Sequence, residues 1–180
     1  MTAPPGEPKI LYRLSNRVEP GFIRVDADEV TYPAHILLRY ELETAMIAGN
    51  LPVAELPAAF NADVKELLGL AVPNDRLGCL QDIHWPGGSF GYFPTYTLGA
   101  MIAAQLFDAA CRAEPDIPEC LTRGDFGPLR SWLRANVHTK GSLLETEELI
   151  STATGQLLQA QMYRDHLRKR YVDQSELFSS

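Results

Sequence analysis

Asp75 to Tyr96, reading DRLGCLQDIHWPGGSFGYFPTY, is where this sequence concentrates groups able to do chemistry. Gln81, Asp82, His84, Trp85, Tyr92 and Tyr96 stand around the glycine loop Pro86-Gly87-Gly88-Ser89. Hydrogen-bonding side chains beside a mobile glycine hinge suit a loop that closes on a ligand. The same composition also suits an ordinary connector whose aromatics anchor it to the core. The residues alone leave both readings open.

Ile23 to Asp28, IRVDAD, is the second such stretch. Arg24 sits among apolar residues, and a guanidinium fork matches both oxygens of a carboxylate. The competing reading pairs Arg24 with Asp26 or Asp28 and uses Asp28 as a helix cap. The four histidines, His35, His84, His138 and His166, form no HExxH and no pair at i, i+4. Local spacing therefore builds no helix-borne zinc site. A metal held by distant residues stays open. His35, near Arg39, reads as a structural or surface histidine. Trp132 with Leu129 and Leu133 reads as core, and Arg164, Arg168, Lys169 and Arg170 as a solvated face.

The elements that must position these groups are helical. Over Asp28 to Gly49, Val30, Ala34, Leu37, Leu38, Leu42 and Ala45 form one apolar stripe. Asp28 or Thr31 can cap this helix, Pro33 suits its first turn, and Gly49-Asn50 stops it. Arg39 and Glu43, four apart on the other side, can pair. Further helices are expected over Val53 to Leu70, from Asp75 through Gln81, and over Phe93 to Ala113. Gly99, Ala100, Ala103 and Ala104 give the last of these a face for close approach. Pro115 to Pro118 breaks the chain. A helix from Asp125 or Gly127-Pro128 runs through Asn136, one capped by Thr146 ends at Gly155, and the last covers about Gln159 to Tyr171. Ile10 to Val18 can form a short helix, and Phe22 to Val25 reads as extended. No alternating β pattern occurs. The expected class is all-α and bundle-like, with a flexible tail over 1–10 and one helical portion over 11–180.

Apolar residues at 46% and charged ones at 22% are a globular balance that opposes disorder. A net charge of −7 disfavours nucleic acid, which needs a basic face. Cys79, Cys111 and Cys120 are odd in number and irregularly spaced, so they give no disulfide framework. They read as reduced thiols packed as small apolar groups, which suits the cytoplasm. No signal-peptide pattern or membrane-length apolar run is read.

IRVDAD fits the IRxxAD pattern of the M32 carboxypeptidases, and GCLQDIHW, residues 78–85, fits their GxxQDxHW pattern. EVTYPAHILLRYELE, VPNDRLG, GSFGYFPTYTLGAM and the late ATG at 153–155 resemble the same family in the same order. The resemblance covers about residues 11–172. Lys140 departs from it, standing where many members have a second histidine. The resemblance implies a mostly helical, cytoplasmic, usually homodimeric metallocarboxypeptidase that removes single C-terminal residues from peptides. It implies zinc held by HExxH and a later glutamate, with the HExxH glutamate activating water. None of these is found in this chain, so no metal site is expected within it and no hydrolysis by it alone. Arg24 takes the place that grips the substrate's terminal carboxylate. His84, with Tyr92 first and Tyr96 second, takes the place of the oxyanion donors. Gln81 is counted with the substrate-binding groups, although it and Asp82 also suit holding the loop in shape. The partners implied are a peptide C-terminus and either a missing N-terminal half or a homodimer partner. The alternative is a non-catalytic helical module for peptide binding or subunit association. Apolar faces left without partners are expected on Val30 to Ala45 and on Phe93 to Ala113.

Overall fold

The computed structural model describes residues 8–173, and these residues form helices and turns with no strand among them. They divide into two compact units, one running through Thr97 and the other from Leu98.

The first unit holds α1 (Pro8–Ser15), α2 (Tyr32–Ile47) and α3 (Leu56–Leu68). α1 begins inside the stretch expected to be a loose tail; residues 1–7 of that stretch lie outside the described residues. Phe22 to Val25 is not extended throughout: Ile23 is, but Arg24–Asp26 makes a short 3-10 turn, after which Ala27 is extended again. Asp28 then organises the entry to α2. Its Oδ1 accepts the Val30 and Thr31 N–H groups, each at 2.9 Å, and its Oδ2 accepts the Thr31 hydroxyl and the Glu19 N–H. Burial would raise the Asp28 carboxyl, but these bonds outweigh it and hold it below its ordinary range. The helix itself starts at Tyr32, with Pro33 in its first turn, and gives way to Gly49 at φ 74°.

The face that α2 buries differs from the expected stripe. Leu38 and Leu42 are buried, but so are His35, Arg39 and Glu43, which recur every four residues along one line. Leu37, Tyr40 and Ile47 face out. The packing partner of Leu38 and Leu42 is α3, which presents Phe60, Val64 and Leu68 at the same spacing of four, with Cys79 completing the core. Pro57 opens α3, and Gly69, at φ 72°, closes it by donating its N–H to the Lys65 carbonyl at 3.2 Å. No helix follows from Asp75 to Gln81. Hydrogen-bonded turns stand there instead, and Asn74 rather than Asp75 supplies the side-chain acceptor, for the Leu77 N–H at 3.2 Å. Gly78 packs closely within them: a Cβ there would lie 3.1 Å from Val72 Cγ1 and 3.2 Å from Asn61 Oδ1, closer than ordinary van der Waals contact.

α4 (Pro94–Ala113) begins in the first unit. The second unit continues with α5 (Ile117–Thr122), α6 (Gly127–Asn136), α7 (Thr146–Thr154) and α8 (Ala160–Arg168). α5 was not expected; Pro118 stands in its first turn, where a missing N–H costs nothing, so the proline segment starts a helix as well as breaking one. Asp125 Oδ1 accepts the Gly127 N–H at 2.8 Å and so sets the start of α6. Thr146 is the first residue of α7 rather than its cap, which is Glu145.

Gln105 of α4 is fully buried and ties this unit together. Its amide nitrogen faces the Thr154 hydroxyl and the Gln156 and Leu157 carbonyls, and its oxygen accepts the Gln159 N–H at 2.8 Å. Gly99 and Ala103, on the small-residue face of α4, are exposed. No helix among the described residues is long and apolar enough to cross a membrane.

Candidate active-site cluster

Arg24 and Asp82 form the centre of the site, within the first unit. Arg24 Nε and Nη2 both donate to Asp82 Oδ1, at 2.9 and 2.8 Å, and Nη1 donates to the Tyr32 hydroxyl at 2.8 Å. The alternative pairing of Arg24 with Asp26 or Asp28 is therefore not the one adopted. The other Asp82 oxygen accepts Arg39 Nε at 2.6 Å, and Arg39 Nη1 donates to the His35 carbonyl at 2.8 Å. Arg39 is thus not paired with Glu43, because the buried acceptor across the core competes for its guanidinium.

Arg24 and Arg39 are buried, and the Asp82 side chain is only 9% exposed. Burial would raise the Asp82 carboxyl, but the hydrogen bonds from Arg24 and the charge and hydrogen bonds of Arg39 outweigh it and hold it below the usual carboxylate range. Burial likewise opposes the charge on Arg24, yet Asp82 raises it above its ordinary value. For Arg39 burial wins and the direction is down. Two guanidiniums thus share the Asp82 carboxylate, and Glu43, one turn on from Arg39, brings a second buried carboxylate to the cluster. Three of the five Arg24 N–H donors are engaged, which leaves two.

Aromatic rings enclose the two guanidiniums. Phe93 is fully buried, and the carbon at the centre of each guanidinium lies 5.6 Å from its ring centroid. The Tyr96 ring lies 5.0 Å from that carbon of Arg24, within reach of a cation–π attraction.

Gln81 fixes the backbone on which Arg24 stands. Its Oε1 accepts the Arg24 N–H at 2.8 Å, and its amide nitrogen faces the carbonyls of Phe22, Leu77 and Gly78 at 3.0 to 3.1 Å. The amide is thus occupied at both ends by the protein itself, which is the arrangement of a residue that holds the loop.

His84 Nε2 stands 3.1 Å from the Tyr96 hydroxyl, and its Nδ1 is buried, 3.9 Å from Asp82 Oδ1. Its ring packs on Phe93 at 4.4 Å and on Tyr92 at 5.5 Å. Tyr92 is half exposed, and its hydroxyl makes no hydrogen bond among the described residues. The structure thus brings Arg24, Gln81, His84, Tyr92 and Tyr96 into one cluster.

Tyr32, Arg39, Glu43 and Phe93 belong to the same cluster and were not singled out in the sequence as site residues. A signal for two of them, Arg39 and Glu43, existed. His35, Arg39 and Glu43 at i, i+4 and i+8 put three polar groups on one line of a helix whose other residues are largely apolar. His35 is fully buried, and its imidazole is pushed down to about 4 by burial and by the Arg39 charge, which the Gly21 backbone only partly opposes. Of the two expectations for it, a structural or a surface histidine, burial removes the second. Cys79 and Cys120 are buried, and burial raises the Cys79 thiol. Among the described residues no group of three or more His, Cys, Asp or Glu side chains is placed to hold a metal ion.

The family model of the Carboxypeptidase Taq (M32) metallopeptidases matches residues 7–171, and the chain belongs to this family. It is 42% identical over 159 residues to carboxypeptidase 1 of Bacillus subtilis (strain 168), a match covering 88% of this chain and 32% of that protein. It is 44% identical over 157 residues to thermostable carboxypeptidase 1 of Thermus thermophilus, covering 87% of this chain and 31% of that one. Among solved structures, Trypanosoma cruzi metallocarboxypeptidase 1 matches with a TM-score of 0.90 at 44% identity, over 94% of this chain and 36% of that one. The Pyrococcus furiosus carboxypeptidase matches with a TM-score of 0.90 at 38% identity, over 93% and 34%. The helical fold implied by the resemblance is the fold observed. The chain spans about a third of the length of these relatives.

Proposed function

We propose that this chain supplies the substrate side of a zinc metallocarboxypeptidase that releases single C-terminal residues from peptides. The observation that carries the reading is that Arg24, beside Asp82, keeps two N–H donors beyond those it spends on the protein. A peptide's terminal carboxylate is the anion that such a site suits, and an internal peptide bond offers no such charge.

His84, Tyr92 and Tyr96 serve the oxyanion of the tetrahedral intermediate, the two tyrosines as direct donors and His84 through Tyr96. If His84 Nε2–H donates to the Tyr96 oxygen, the Tyr96 O–H is left to donate outward. The half-exposed Tyr92 hydroxyl, with no hydrogen bond to the described residues, suits direct donation. Removing one such donor typically costs about 2.7–4 kcal/mol in transition-state stabilisation. Gln81 serves substrate binding by holding Arg24 in place.

Zinc is the metal that the resemblance implies, but the described residues do not form a ligand set for it, and no step assigned here runs through a metal held by this chain. The HExxH that would supply metal and base is not in the sequence. The 180-residue chain is therefore expected to release no C-terminal residues by itself. Mixing it with a polypeptide that carries the HExxH portion of a family member is expected to restore release. Zinc-dependent release by the purified chain alone would overturn the assignment of roles.

A second reading, association with another subunit or with a polypeptide that carries the HExxH portion of a family member, is favoured by one observation. Leu37, Tyr40 and Ile47 form an outward apolar line on α2, opposite its buried face. A monomeric mass across a concentration series in sedimentation, with no capture of an HExxH-bearing portion, would count against it.

A further inference from the structure

His84 is not held in place by its own side chain alone; its neighbours on both sides are gripped by α2. On one side Asp82 takes Arg39 Nε at 2.6 Å. On the other, Trp85 Nε1 donates to Glu43 Oε2 at 2.9 Å, and the Gly91 N–H donates to Glu43 Oε1 at 2.5 Å. Arg39 and Glu43 are four residues apart on the same helix face, so successive turns of one rigid element hold the chain before and after His84. Glu43 is buried at 5% exposure, and both its oxygens are spent on donors from the glycine-rich loop. Gly91, at φ 79°, adopts the left-handed conformation that turns its N–H onto this carboxylate without a Cβ penalty.

We propose that Glu43 is the positioning residue of this site: its carboxylate fastens both ends of the 85–91 loop to α2 and thereby sets the hydrogen-bonded His84–Tyr96 pair. Its functional meaning rests on the reading of that pair as serving the oxyanion, whereas the positioning itself does not. A loop containing three glycines would otherwise sample many conformations, and donors that wander lose the benefit of preorganisation.

Amide exchange and histidine-ring nitrogen shifts in the isotopically labelled 180-residue chain test this. In the unmodified chain the Gly91 amide should exchange at least ~10-fold more slowly than that of Phe90, which has no hydrogen-bond acceptor among the described residues. In Glu43→Gln one oxygen becomes an NH2 that cannot accept, so protection of the Gly91 amide or the Trp85 indole N–H should fall ~10-fold or more. The His84 ring shifts should move with it, while the Val64 amide in α3 stays protected. Trp85→Phe removes one donor only and should move the His84 shifts in the same direction. An unprotected Gly91 amide in the unmodified chain overturns the proposal, as does a Glu43→Gln chain whose His84 ring shifts match the original. No peptide enters these readouts, so failure of the carboxylate-binding role would leave their result standing.

Discussion

Arg24 and Asp82 stand 58 residues apart in the sequence and are joined by two hydrogen bonds, at 2.8 and 2.9 Å. Asp82 also takes Arg39, so one carboxylate holds two buried guanidiniums. Asp82→Asn should therefore destabilise the chain by about 3–5 kcal/mol, because it leaves uncompensated charge inside. Adding Arg39→Met to that variant should recover part of the loss, since it removes one stranded cation. Urea unfolding of both variants measures this; a loss below about 1 kcal/mol in Asp82→Asn would show that the pair is not holding the first unit together.

The buried His35 imidazole gives stability a pH dependence of known sign. Its folded value, about 4, lies below its ordinary 6.5, so the unfolded chain binds the proton first. Stability from keeping His35 neutral is fully present above about 6.5 and declines as pH falls to about 4, by on the order of 3 kcal/mol. The Asp82 contribution has the same sign but lies at lower pH, because its carboxyl is held below the usual range. Urea midpoints between pH 4.5 and 7 should slope for the unmodified chain and lose most of that slope in His35→Leu. Equal slopes would mean that His35 does not titrate on unfolding.

Gln105 offers an independent test in the second unit. Gln105→Leu keeps the volume but leaves the Gln159 N–H without its acceptor and the Thr154 hydroxyl without its donor. The expected cost is about 1–3 kcal/mol, with faster exchange of the Gln159 amide. An unchanged amide would place that segment's stability elsewhere.

The sequence made the helices legible because their signals are local. Pro57 and Gly69 bracket α3, and the apolar spacing of Phe60, Val64 and Leu68 shows its inner face. The candidate site was legible as two stretches, IRVDAD and DRLGCLQDIHWPGGSFGYFPTY, since both concentrate polar groups in an apolar setting. What could not be read was the pairing. Arg24 had nearby aspartates at 26 and 28, yet a contact 58 residues away won. Asp28 was already spent on three backbone N–H groups and a hydroxyl at the entry to α2. Arg39 and Glu43 read as an exposed helix pair, the commoner fate of that spacing. Their burial depends on the 78–96 segment lying over α2, a tertiary fact that no local pattern carries.

The central claim is that Arg24 reads a terminal carboxylate, and calorimetry on the 180-residue chain tests it most directly. A short peptide with a free C-terminus should bind at least ~10-fold more tightly than the same peptide as its C-terminal amide, a difference of about 1.4 kcal/mol or more. Arg24→Met should erase that preference. Equal affinity of the unmodified chain for acid and amide would contradict the account.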